Sequence, residues 1–137
     1  MRKLDKFEEI AIKIIEKKFP SWKFIEPTHK NFDLKFMDAK TSSEKFVEVK
    51  GRSKPFSNAS LEDTCYKFAE KNKEDYYLIL ILLPPENNKK VAYTILQYKT
   101  LKQIKSTKDK SRPSIIEKKT YQIYFKLDSF IDLGSLQ

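Results

Sequence analysis

One cysteine and one histidine in 137 residues remove several kinds of chemistry at once. Cys65 alone cannot close an internal disulfide, which fits a reducing compartment, and its position suits a small apolar residue on a helix. With His29 as the only imidazole, a Cys/His metal site is implausible. Long apolar runs are also missing. Tyr76 to Pro85 is about half of what a membrane span requires, and MRKLDKFEEIAIKIIEKKF lacks the unbroken apolar stretch of a signal peptide. These absences predict a soluble, cytoplasmic protein without a membrane partner. Acidic residues are the remaining shortage: 19 Asp plus Glu face 28 Lys plus Arg, for a net charge of +9. A surplus of that size points to a polyanion, either nucleic acid or an acidic surface, with a generally Lys-rich composition as the plainer explanation.

Core material is present: 39% of the chain is apolar and 13% aromatic. That supports a single domain over residues 1–137. Leu4, Phe7, Ala11, Ile14, Ile15 and Phe19 recur at helical spacing, so a helix is expected over roughly residues 2–19, ended by Pro20. A short strand is expected from Trp22 to Ile25. Phe32, Leu34 and Phe36 alternate with Asp33, Lys35 and Met37 as in a half-buried strand, and Phe46 to Lys50 forms the next strand, halted by Gly51. Ser57 to Ser60 offers N-cap residues for a helix running to about Lys73. Tyr77 to Leu83 is apolar at every position, as in a central strand covered on both faces. Strands over Val91 to Leu96 and Tyr121 to Phe125 follow. The order predicts an α/β fold with a mixed central sheet flanked by helices.

Glu48 and Lys50 are two residues apart and therefore share one face of their strand, with Val47 and Val49 on the other. Asp33 stands opposite in phase to Phe32, Leu34 and Phe36. If the two strands form an antiparallel hairpin, Asp33 joins Glu48 and Lys50 only where paired residue numbers sum to an odd value. A one-residue slip would set the apolar side chains beside the charges, so the hydrophobic pattern forbids it. Two carboxylates and an ammonium so gathered suit phosphodiester hydrolysis. Hard oxygen ligands select Mg²⁺, and an ammonium can orient water and stabilise developing negative charge. A solvated Lys–Glu–Asp cluster is the ordinary alternative for such spacing in a chain that is 34% charged.

The segment NFDLKFMDAKTSSEKFVEVKGRS, Asn31 to Ser53, resembles the core of the PD-(D/E)XK nucleases: an Asp at the start of one strand and (D/E)-x-K in the next. Within that superfamily it resembles the nuclease-like domain at the C-terminus of protein NO VEIN, which shares the ExKG strand, the following helix and a Tyr-rich apolar strand, here Asp75 to Leu80. Archaeal Holliday-junction resolvases are similar in size and basicity. The likeness covers roughly residues 4–97, although only the Asp33, Glu48 and Lys50 set is motif-specific. Phe32 stands where the motif has Pro, and the helix after the motif carries no Gln-x-x-x-Lys or central Glu.

The resemblance implies a restriction-endonuclease-like core acting as a Mg²⁺-dependent endonuclease on DNA, with Mn²⁺ as a substitute ion, in restriction, defence, repair or recombination. Asp33 and Glu48 would bind the ion, the Val49 carbonyl would add a ligand and Lys50 would position the attacking water. Such nucleases often supply another acid from the first helix. Glu8 shares a face with Leu4, Ala11, Ile12 and Ile15, whereas Glu9 groups with Lys13 and Glu16, so Glu8 is the expected fourth ligand. A homodimer would bring two sites to one duplex. The rival is a catalytically inactive nucleic-acid-binding or protein-interaction module of the same fold. An RNA hydrolase would share the chemistry. Arg52 and Lys54, just past the ExK strand, could touch the backbone of the substrate. From Lys99 to Lys119 eight basic residues face two acidic ones. Lys99, Lys102 and Lys105 are three apart, as along one side of a helical turn, and with Lys108 they form the expected nucleic-acid surface. His29 reads as a loop residue.

Overall fold

A computed structural model of the protein describes residues 2–28, 30–54, 58–83 and 90–101, together with the backbone of three further strands within 104–135. The first helix, α1, spans Lys6–Lys18. It starts later than the apolar periodicity suggests because Asp5 caps it. The Glu8 N–H donates to Asp5 Oδ1 at 2.8 Å and the Asp5 N–H returns a bond to Glu8 Oε1 at 3.0 Å, a reciprocal arrangement that satisfies two otherwise orphaned donors.

Strand β1 is Trp22–Pro27, β2 Leu34–Asp38, β3 Ser43–Arg52, β4 Asn58–Glu62, β5 Tyr76–Leu82, β6 Lys90–Gln97, β7 Ile104–Lys108, β8 Lys119–Tyr124 and β9 Ile131–Ser135; helix α2, Asp63–Lys71, lies between β4 and β5. Six strands form one sheet in the order β1-β2-β3-β5-β6-β9, and β4-β8-β7 form a second, smaller one. All pairs in the large sheet are antiparallel except β3 with β5. The fold is thus α/β with a mixed central sheet flanked by two helices.

β5 explains why an all-apolar segment is needed in the middle. Tyr76, Leu78 and Leu80 enter one core cluster with Ala59, Leu61 and Ala69 from β4 and α2. Ile79 and Ile81 enter the other, with Ala11, Ile14 and Ile15 of α1 and Leu34, Phe36 and Val47 of the hairpin. A strand covered on both faces cannot alternate with polar residues.

Three expectations change. Residues 58–62 do not cap a helix but form β4, whose partner β8 lies about sixty residues further along the chain; such distant pairing overrides local capping signals. The following helix accordingly begins at Asp63, with no side-chain bond from its N-cap residue Glu62. Phe32 does not side with Leu34 and Phe36; it packs against Phe46 and Phe68 in the α2 cluster. Asn31 just before it has a positive φ of 74°, so the strand's alternation begins only at Leu34. Residues 104–108 are strand rather than part of a helical turn.

Candidate active site

The β2–β3 ladder ends at Leu34 opposite Val47, whereas β3 runs on to Arg52. Through Leu34 the sum of paired numbers is odd, as the hydrophobic pattern requires; at residue 33 the pairing steps by one residue, its N–H donating to the Val47 carbonyl at 3.0 Å. Beyond that point a side chain replaces the backbone partner: Asp33 Oδ2 accepts from the Val49 N–H at 2.8 Å. Because the N–H and C=O of a strand residue project to the same side, the Val49 carbonyl opens onto that same edge. Glu48 and Lys50 stand on the α2 face, with Lys50 Nζ 3.1 Å from Glu48 Oε2. On this face the Tyr76 hydroxyl donates to the Asn31 carbonyl at 2.8 Å, anchoring the segment that delivers Asp33.

Asp5, Glu8, Asp33, Glu48, Val49, Lys50 and Arg52 line one cleft of about 330 Å³. Its electrostatics are dominated by desolvation. Burial raises the Glu48 carboxyl above the usual carboxylate range; the neighbouring Asp33 adds to the shift, and the Lys50 ammonium offsets it without overcoming it. Asp33 is raised as well, burial again coming first and the Val49 N–H working against it. The charge of Asp33 opposes ionisation of Glu48, so the pair holds a proton more readily than it carries two charges. Burial also pushes the Cys65 thiol, nearby on α2, up to about 11, which leaves it a protonated, half-buried packing residue.

Glu8 is buried at 4% exposure and faces the cleft, while Glu9 is exposed, as the helical face predicted. Its carboxylate is nevertheless engaged. Arg2 Nη1 donates to Glu8 Oε1 at 2.7 Å and Nη2 to Oε2 at 2.5 Å. Among the described residues no group of three His, Cys, Asp or Glu side chains is placed to hold a metal ion; the acids that meet directly are Asp33 and Glu48.

Gly51 is needed for close approach. A Cβ there would stand 2.2 Å from Phe7 Cγ of α1, too close for any side chain, so the glycine of ExKG lets the helix lie against the end of β3. It does not halt the strand, which continues to Arg52. Arg2 and Phe7 are the residues that local reading passed over. Arg2 carries no signal in its neighbourhood, because its partners include the Thr28 and Asp33 carbonyls. Phe7 shows only as one more apolar position on α1.

Of the basic residues expected to meet nucleic acid, the described ones stand at two ends of the sheet. Arg52 and Lys54 are exposed at the cleft end of β3, and Arg52 Nη1 donates to the Gly51 carbonyl at 2.8 Å. Lys99 sits at the opposite end of the sheet, 3.0 Å from Glu74. Lys105 and Lys108 fall on the backbone of β7; Lys102 and His29 lie outside the described residues.

Hairpin, crossover helix and strand-end acid pair together define an α/β domain of a recognisable class. The chain belongs to the family described as protein NO VEIN, C-terminal, whose model matches residues 7–95, well over half of its length. That span runs from α1 into β6 and takes in Glu8, Asp33, Glu48 and Lys50. Neither curated proteins nor solved structures provide a match. No helix among the described residues is long and apolar enough to cross a membrane.

Proposed function

We propose that this domain is a Mg²⁺-dependent endonuclease of the PD-(D/E)XK type that hydrolyses phosphodiester bonds in DNA. One observation carries the reading: Asp33 takes over the ladder at Val49 and thereby meets Glu48 and Lys50 in a single cleft. The donor set fits the ion. Two carboxylates and a backbone carbonyl are hard oxygen donors, and Mg²⁺ commonly uses one or two carboxylates while keeping several waters. A buried acid pair whose ionisation is opposed by desolvation is also a place where a divalent cation replaces a bound proton with net gain.

In this reading Asp33, Glu48 and the Val49 carbonyl hold Mg²⁺, and Mn²⁺ can stand in for it. When bound, the ion polarises the phosphoryl oxygen and acidifies water. Lys50 orients the attacking water and stabilises charge developing on the phosphate. Its side chain is 21% exposed, open to substrate in the cleft. Arg52 and Lys54 receive the flanking backbone of the substrate. A homodimer would set two such clefts on one duplex.

The test is to incubate supercoiled plasmid, linear duplex, branched DNA and single-stranded RNA with the protein in Mg²⁺, in Mn²⁺ and in EDTA. Cleavage of DNA that EDTA abolishes is the expected result. Cleavage of RNA alone would move the substrate. Tight DNA binding without cleavage in either metal would favour the inactive binding module.

A further inference from the structure

We infer that Arg2 is a built-in counter-cation that withdraws Glu8 from metal binding, so that the cleft takes a single divalent ion on Asp33 and Glu48. The inference rests on the metal-site reading above and sharpens it.

Every nitrogen of the Arg2 guanidinium is engaged, both terminal ones on Glu8. Nη1 and Nη2 each take one Glu8 oxygen, Nη2 also donates to the Asp33 carbonyl at 2.9 Å, and Nε donates to the Thr28 carbonyl at 2.9 Å. Glu8 Oε1 accepts in addition from the Asp5 N–H at 3.0 Å. Both oxygens of Glu8 are therefore occupied, and its side chain is 5% exposed.

The contrast with Glu48 is chemical as well as geometric. Lys50 pairs with Glu48 through one oxygen at 3.1 Å, and a lysine ammonium on its flexible stem can yield that position to an incoming ion. A bidentate arginine pair is stronger, more directional and cannot lose its proton. A divalent ion seeking Glu8 would have to break that fork and then sit against the guanidinium's charge, where repulsion is only weakly screened. Arg2 thus supplies, as a permanent positive charge, what a second ion would supply beside Asp33. Through the Asp33 carbonyl it also fixes the backbone from which that carboxylate hangs. This makes Arg2 a positioning residue.

Counting bound Mn²⁺ on the metal-stripped full chain, by calorimetry and by the paramagnetic resonance of free Mn²⁺, tests this directly. Wild type should bind one equivalent, Glu8→Gln should still bind one, and Glu48→Gln should bind none. Arg2→Ala should gain a second equivalent, absent again in Arg2→Ala/Glu8→Gln. Two equivalents on wild type, or none on Glu8→Gln, would overturn the inference while leaving the metal site intact. No Mn²⁺ on wild type would instead overturn the underlying metal-site reading. Should Arg2→Ala fail to fold, the comparison of wild type with Glu8→Gln decides alone.

Discussion

At one end of β2, Asp38 accepts from Ser21 Oγ at 2.8 Å and from the Lys40 N–H at 2.9 Å. Those donors, the hydroxyl first, hold its carboxyl below the ordinary range. At the other end Asp33 has a single peptide donor and the acid of Glu48 for a neighbour, and burial raises both. The basic partners differ in the same sense. Lys45, beside the Asp38 end, is 2.7 Å from Asp75, and Lys99 pairs with Glu74. The cleft those residues line is the larger of the two, about 550 Å³, yet its charges are already matched. Charge left over after folding, rather than volume, marks the end where chemistry is expected.

Removing the cleft groups one at a time tests this contrast most sharply. Asp33→Ala, Glu48→Ala and Lys50→Ala should each lower DNA cleavage at least about a hundredfold, because each removes a group that acts on the ion or on developing charge. Circular dichroism should show the fold retained. Divalent-dependent cleavage surviving in Glu48→Ala would defeat the assignment.

Next in size is the support beneath the site. Gly51→Ala forces a methyl group against the Phe7 ring and should cost about 1–3 kcal/mol, the usual range for overpacking. Urea unfolding would read it. Gly51→Ala combined with Phe7→Ala should lose less than the two changes taken separately; simple additivity would mean that the ring and the glycine do not meet.

How far the sequence alone leads is clear from these residues. The hairpin register was legible because Leu34 and Phe36 flank Lys35 while Val47 and Val49 alternate with Glu48 and Lys50, so only one pairing buries the right set. The buried face of α1, Glu8 included, was legible for the same reason. Phe32 was not, since its placement follows from a turn at Asn31 rather than from strand alternation. Neither was β4, whose stability lies in a partner strand far along the chain. Arg2 was least visible of all: its meaning resides in two carbonyl groups 26 and 31 residues away, which no local pattern announces.

A smaller effect separates the two ends by substrate affinity. Arg52→Gln/Lys54→Gln should weaken DNA binding and reduce the slope of log affinity against log salt by up to about 1.8, about 0.9 for each phosphate no longer neutralised. Lys99→Gln, at the matched end and paired with Glu74, should change neither. The reverse order would place the nucleic acid on the larger cleft. Fluorescence anisotropy across a salt series distinguishes the two.

The smallest effect, and the one most specific to the comparison, is on stability without metal. Glu48 and Asp33 have folded-state values above their unfolded ones. Their contribution is therefore fully present below the unfolded carboxylate range and is lost as pH rises through the raised folded values. Asp38 is shifted the other way, so its contribution is present above the unfolded value and is lost as pH falls through the lowered one. In EDTA the melting midpoint should accordingly decline from pH 5 toward pH 9 on account of the cleft acids, and decline separately in strong acid on account of Asp38. Added Mg²⁺ should remove the alkaline decline and leave the acid one, because only the cleft pair exchanges its proton for the ion. Neutralising substitutions should then act with opposite signs. Glu48→Gln relieves a buried charge and should raise the midpoint at pH 8 in EDTA by about 2–5 °C, the shift that roughly 1 kcal/mol produces in a domain of this size. Asp38→Asn weakens the acceptor that Ser21 and Lys40 share and should lower it at the same pH. If both substitutions destabilise equally, the acid pair is as well satisfied as Asp38, and the case for a poised metal site at that end of the hairpin fails with it.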